Sequence, residues 1–161
     1  MHEHLRIDGP DGHITCDARH WPIVIATWVG DADIESVREF FRWNGEVIER
    51  ARAEGGYLMI TDADRASRPA PDVRRVVAQL TNDMPEDAKS LSHGNYLVLS
   101  SALVRGAITA MQWMSREKWT TVQVGSIPEA ISRAFVDLDK AGLRRPVSLD
   151  PNQYTTAGKL A

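Results

Sequence analysis

A single cysteine, no apolar stretch of membrane-spanning length and no block of like charge mark this chain, and each shortage excludes a class of protein. Cys16 stands alone, so neither an intramolecular disulfide nor a paired-thiol motif is possible, and it reads as a small buried strand residue in a reducing compartment. No run approaches the ~20 apolar residues of a membrane span. The opening Met1-His2-Glu3-His4-Leu5-Arg6 lacks the apolar core of a signal peptide, and a cytoplasmic location is expected. The net charge is −3, with Lys and Arg scattered among acids, which argues against nucleic acid as a partner. Gly30 and Gly125 are isolated, with no lysine following in the pattern of a phosphate-binding loop. No two histidines have the i, i+4 spacing of a helical metal site, and no serine is flanked by glycines as in a nucleophile elbow. Neither a cofactor nor a metal site follows from these residues.

What is present is ordinary globular composition over 161 residues, 43% hydrophobic and 25% charged, enough for one self-supporting domain. Apolar runs at residues 22–28, 57–60, 96–99 and 121–124 are each followed by a segment of helical periodicity, the signature of a sheet covered by helices. Ahead of them, residues 5–7 and 13–17 flank Asp8-Gly9-Pro10-Asp11-Gly12, a turn-forming stretch that predicts an antiparallel hairpin. The expected fold is therefore α/β: one mixed sheet opened by a hairpin, then alternating strand-helix units. Residues 1–145 form the domain, and residues 146–161, rich in turn formers, read as a flexible tail.

Helix boundaries are also written in the sequence. Asp33 is a good N-cap, Ile34, Val37, Phe41, Ile48 and Ala51 recur at helical spacing, and Gly55-Gly56 ends the helix. Pro69 and Pro71 make residues 65–70 a loop, and Pro71 suits the first turn of a helix carrying Val73, Val76, Val77 and Leu80. Ser126-Ile127-Pro128-Glu129 is a capping-box pattern for the last helix, closed by Gly142. The third helix, residues 102–116, is apolar nearly all round. Val104, Ala107, Ile108 and Met111 form one stripe, and Leu103, Gly106, Ala110 and Trp113 form another. The second stripe is either wedged between sheet and neighbouring helix or a self-association surface that would make a homodimer. Of five tryptophans, Trp21 and Trp43 have polar neighbours and are expected to be partly exposed.

In an open α/β sheet, ligands favour the loops beyond the carboxyl ends of the strands. The candidate rim residues there are Asp62, Asp64, Arg65, Ser67, Ser100, Ser101, Gly125 and Ser126. Asp62 and Asp64 can bind a hard cation or act as an acid and base pair, or simply form turns. Ser100 and Ser101 can bind an anion at a helix N-terminus, or cap that helix.

The order of elements resembles the SpoIIAA-like group of the STAS superfamily, which shares its fold type with Sec14-like lipid-binding modules. The resemblance covers about residues 14–143. It rests on the strand ending in Thr61-Asp62-Ala63-Asp64, the Val104-Arg105-Gly106 step, and the Val124-Gly125-Ser126-Ile127-Pro128-Glu129-Ala130 turn. It implies a mixed sheet with packed helices and a regulatory or binding role. Members that antagonise anti-sigma factors carry an Asp-Ser-Ser-Gly type step whose serine a partner kinase phosphorylates. The matching stretch here is Ala70-Pro71-Asp72-Val73-Arg74, with Asp72 where the serine would stand. Asp72 is either an ordinary first-turn carboxylate or a fixed charge imitating a phosphate. The expectation is a non-enzymatic regulatory or protein-interaction module whose partner is another protein. The alternatives are a binder of a small apolar or lipid molecule, which needs a cavity of several hundred Å³, and an enzyme or metal binder at the Asp62/Asp64 rim.

Overall fold

The structure, a computed structural model, describes residues 1–114 and 120–155. The side chains of Leu103, Ala110 and Trp113, and all of Trp119, lie outside the described residues. Strands β1 (His4–Asp8) and β2 (Gly12–Asp17) form the hairpin, and β3 (Ile23–Gly30) pairs antiparallel with β2. Strands β4 (Tyr57–Ala66), β5 (Ser92–Val98) and β6 (Val122–Val124) then add in parallel, so the sheet runs β1-β2-β3-β4-β5-β6. Between and after them come α1 (Ile34–Glu54), α2 (Pro71–Asn82), the single turn α3 (Ala88–Leu91), α4 (Ala102–Met114) and α5 (Ile127–Ala141).

Local chemistry sets these limits. Asp33 accepts a hydrogen bond from the Ser36 amide at 2.9 Å and starts α1, and Gly55, at φ +97°, ends it. Ser126 accepts from the Glu129 amide and Gly142 stops α5 at φ +70°. Gly30 turns β3 toward α1 at φ +67°, where a Cβ would lie 2.4 Å from the Asp11 carbonyl oxygen, so only glycine fits.

Because strand side chains alternate, the sheet has two buried faces. Val24, Ala26 and Met59 face α1, where Phe40, Trp43, Val47 and Ala51 complete one core. Ile23, Ile25, Leu58, Ile60 and Tyr96 face α5 and pack on Ala130, Ile131, Ala134 and Leu138. Each large side chain buried in these layers contributes about 1.5–3 kcal/mol before the cost of ordering it.

The structure departs from the sequence reading in four places. Strand β4 does not stop at Ile60: it bulges between its pairings to Thr27 and Val29 and continues along β3 to Ala66. The polar stretch before residue 95 holds α3 and the start of β5. Trp43 is 1% exposed, with its Nε1 donating to the His2 carbonyl at 3.0 Å. Its polar sequence neighbours misled because adjacent helical positions point ~100° apart. Trp21 is half-buried under the Arg50 guanidinium, 4.3 Å from its ring. Finally, the first part of the segment read as a tail is docked: Leu149 is 5% exposed, and Tyr154 packs against the α5-side core.

Candidate functional site

The inner faces of β4 and β5 and the helices above them do not close completely. Toward the helices, β4 presents Met59, Thr61 and Ala63, and past the bulge Ala66, so the sheet surface falls away into small side chains. Helix α2 spans this low ground while packing on α1 and α4 rather than on the sheet. Its apolar stripe, Val73 and Val77, therefore looks down on a space of about 500 Å³. Phe40 and Phe41 of α1 wall one side, and Val104 and Ile108 of α4 the other.

The lining is apolar and neutral. Among the described residues no Asp, Glu, Lys, Arg or His side chain borders the space, and its titratable group is Tyr57, whose phenol burial pushes up to about 12. Several polar groups in the wall are satisfied by protein: Thr81 Oγ1 donates to the Val77 carbonyl at 2.8 Å, and Asn95 Nδ2 to Thr121 Oγ1 at 3.1 Å. Two are not. The indole Nε1 of Trp28 and the amide Oδ1 of Asn44 belong to lining residues and are buried without a partner. An unpaired buried polar atom costs about 1–3 kcal/mol, so two among the lining residues call for an explanation.

The cavity continues toward the surface. A groove of about 600 Å³ between α1 and α2 shares Phe41, Asn44 and Met84 with it. The groove carries Glu35, Arg38, Arg42 and Asp83, two charges of each sign. Arg38 bonds Glu35 at 2.8 Å, and Arg42 pairs with Glu39.

The rim residues named from the sequence are partly brought together. Asp64 accepts from the Ser100 amide at 3.0 Å and from the Ser100 hydroxyl, which ties the ends of β4 and β5 to each other. Asp62 follows Leu58 and Ile60 onto the α5 side of the sheet, is 7% exposed, and accepts from the Asp64 amide at 3.2 Å. Each carboxylate thus holds a different backbone amide. Ser101 accepts from the Val104 amide at 3.4 Å as a helix cap. Asp72 is exposed in the first turn of α2 and accepts from the Val73 amide at 2.9 Å. Ser67 borders the cavity, held by its amide to the Gly30 carbonyl at 2.9 Å. Arg65 is exposed and lies near His13, whose pKa is lowered by burial, then by Arg6, with a smaller push from Arg65. Gly106, from the proposed self-association stripe, is exposed, and a Cβ there would meet nothing within 4 Å. Among the described residues no three His, Cys, Asp or Glu side chains converge to hold a metal ion.

Sequence reasoning missed a second polar assembly, on the α5 side beneath the docked C-terminal segment. Asp17, 2% exposed, takes two guanidinium bonds from Arg19, at 2.9 and 2.7 Å. Burial pushes the Asp17 carboxyl up, but the Arg19 hydrogen bonds and nearby positive charge outweigh it, and its pKa lies below the ordinary value. Tyr154 Oη reaches Asp17 at 3.5 Å, and His20 meets the Tyr154 ring edge-on while its Nδ1 bonds Ser148 Oγ at 2.9 Å. These partners are more than a hundred residues apart; the one local signal was a tyrosine and a leucine in an otherwise polar stretch. Cys16 is fully buried, and desolvation followed by the Glu39 charge pushes its thiol up to about 12, which leaves it unreactive.

The chain matches no protein-family model and no curated protein.

Proposed function

We propose that this chain is a non-enzymatic module that holds a small apolar molecule in the cavity between the sheet and helices α1, α2 and α4. The observation that carries the reading is the cavity itself. At about 500 Å³ it falls within the roughly 300–1,000 Å³ range of small-molecule sites, and its walls are predominantly apolar. A half-open space of that size leaves apolar side chains facing water, and a ligand there would cover them.

The lining also speaks against chemistry at this place. It offers no carboxylate, imidazole, amine or thiol among the described residues, and the phenol of Tyr57 stays protonated at neutral pH. The resemblance to SpoIIAA-like modules adds a consequence: α2 forms a cavity wall and also carries the exposed Asp72, so a bound molecule would alter the face that a protein partner meets. The test is native mass spectrometry of the protein purified from the cells that make it, repeated under denaturing conditions. A small mass that accompanies the native ion and leaves on denaturation supports the reading. Bare chain in both spectra, with no small molecule in the organic extract, counts against it.

A further inference from the structure

Resting on the reading of the cavity as a binding site, the groups that line it also say what kind of molecule fits. We propose that the occupant is an uncharged amphiphile, with an apolar body in the inner cavity and a hydrogen-bond-donating group, a hydroxyl or an amide N–H, at Asn44.

Charge is decided by the walls. A carboxylate or phosphate drawn into this space would lose its hydration, and among the described residues no cationic side chain borders the cavity to replace it. The outer groove does not help. Its two cations, Arg38 and Arg42, are each taken by a glutamate of α1, and Glu35 and Asp83 balance them within the groove. Among the described residues, an anionic head group would find no surplus positive charge along this route.

Polarity is decided by Asn44. It borders both the inner cavity and the outer groove, so it stands where the apolar space ends. Its residue is 7% exposed, and its Oδ1 has no donor. The terminal amide torsion is broad, so a modest rotation presents that oxygen to a ligand without moving the helix. Protein offers the oxygen nothing, whereas a ligand hydroxyl or amide N–H there removes the cost of leaving it unpaired. Trp28, whose Nε1 is the second unpartnered group, packs its ring at 5.0 Å from Phe40, one helical turn before Asn44.

The experiment uses the full chain loaded with the neutral dye Nile red, displaced by three probes of matched length: 1-decanol, decanoate and 1-methoxynonane, which lacks the donor. Decanol is expected to displace the dye at a concentration at least about tenfold below decanoate, and about threefold to tenfold below the ether. In Asn44→Leu the ratio of the alcohol and ether displacement midpoints should fall to about one. The wild-type comparison decides the matter even where the variant does not fold. Decanoate matching decanol, or the ether matching decanol on the wild-type protein, overturns the proposal and leaves the cavity reading intact. Failure of Nile red and of every probe to bind overturns the cavity reading and this proposal together.

Discussion

Ala63 offers a direct way to ask whether the space beneath α2 is empty. It is 5% exposed and borders the cavity near the β4 bulge, where Leu97, Leu99 and Val104 surround it. Ala63→Leu adds three carbons, each worth about 0.8 kcal/mol if buried without strain. Against about 2.4 kcal/mol of gain stands roughly 0.5–1 kcal/mol of lost leucine rotamer freedom. The net is a stabilisation of about 1–2 kcal/mol, or roughly 2–8 °C in Tm for a chain of this size. The control is Ala130→Leu, at a fully buried position packed between α5 and the sheet, where overpacking should cost about 1–3 kcal/mol. Urea unfolding of both variants gives the stabilities, and calorimetric titration with decanol gives the second readout. Because the new side chain occupies room the ligand would use, affinity should fall by up to about fiftyfold, the same 2.4 kcal/mol expressed as a ratio. A loss of stability in Ala63→Leu as large as in Ala130→Leu would mean that the space is already filled, and the reasoning would be refuted.

Three further outcomes follow from other parts of the fold. Asp17 has a depressed pKa in the folded state, so its contribution is complete above the unfolded carboxylate value near ~3.9 and is lost as pH falls through the folded value. The urea midpoint of the wild type should therefore drop more steeply than that of Asp17→Asn as the pH falls below about 4; parallel curves would deny the Asp17–Arg19 pair its role. Tyr154→Ala removes a half-buried ring from the α5-side core and from His20, at an expected cost of about 2–3 kcal/mol, and should open the residues after Pro146 to proteolysis. An unchanged cleavage pattern would show that the segment is held elsewhere. Gly30→Ala forces a side chain onto a left-handed residue and into the Asp11 carbonyl, and should destabilise by about 2–4 kcal/mol in thermal unfolding; a neutral result would mean that the β3–α1 turn relaxes freely.

The fold was largely legible because its signals are local. Asp33, Gly55, Ser126 and Gly142 act within one turn of where they stand, and the alternation of apolar runs with helical stripes gives the sheet and its cover directly. What escaped depends on distance. The extension of β4 to Ala66 needs β3 alongside it, and the docking of Tyr154 needs Asp17 and His20. The cavity left only a faint trace, in the alternation of residues 57–66. There Leu58 and Ile60 fall on one face and Met59, Thr61 and Ala63 on the other, so one side of the strand is visibly smaller. Smallness alone does not announce a void, since a neighbouring helix can settle onto it. Only the packing of α2 on α1 and α4 decides that it does not. At the rim read from the strand ends, Asp64 ties β5 to β4 and Ser101 caps α4. Many residues that line the cavity, Asn44 among them, lie inside helices and strands where no loop rule points, although Ser67, named for the rim, borders it too.

The central claim, that a neutral apolar molecule sits beneath α2, is tested most directly by mapping methyl and amide NMR shifts of the intact protein during titration with decanol. The account predicts saturable shifts centred on Met59, Ala63, Val73, Val77 and Val104, together with the Asn44 side-chain amide. Shifts confined to the outer surface of α5, or none beyond those of a solvent control, would contradict it.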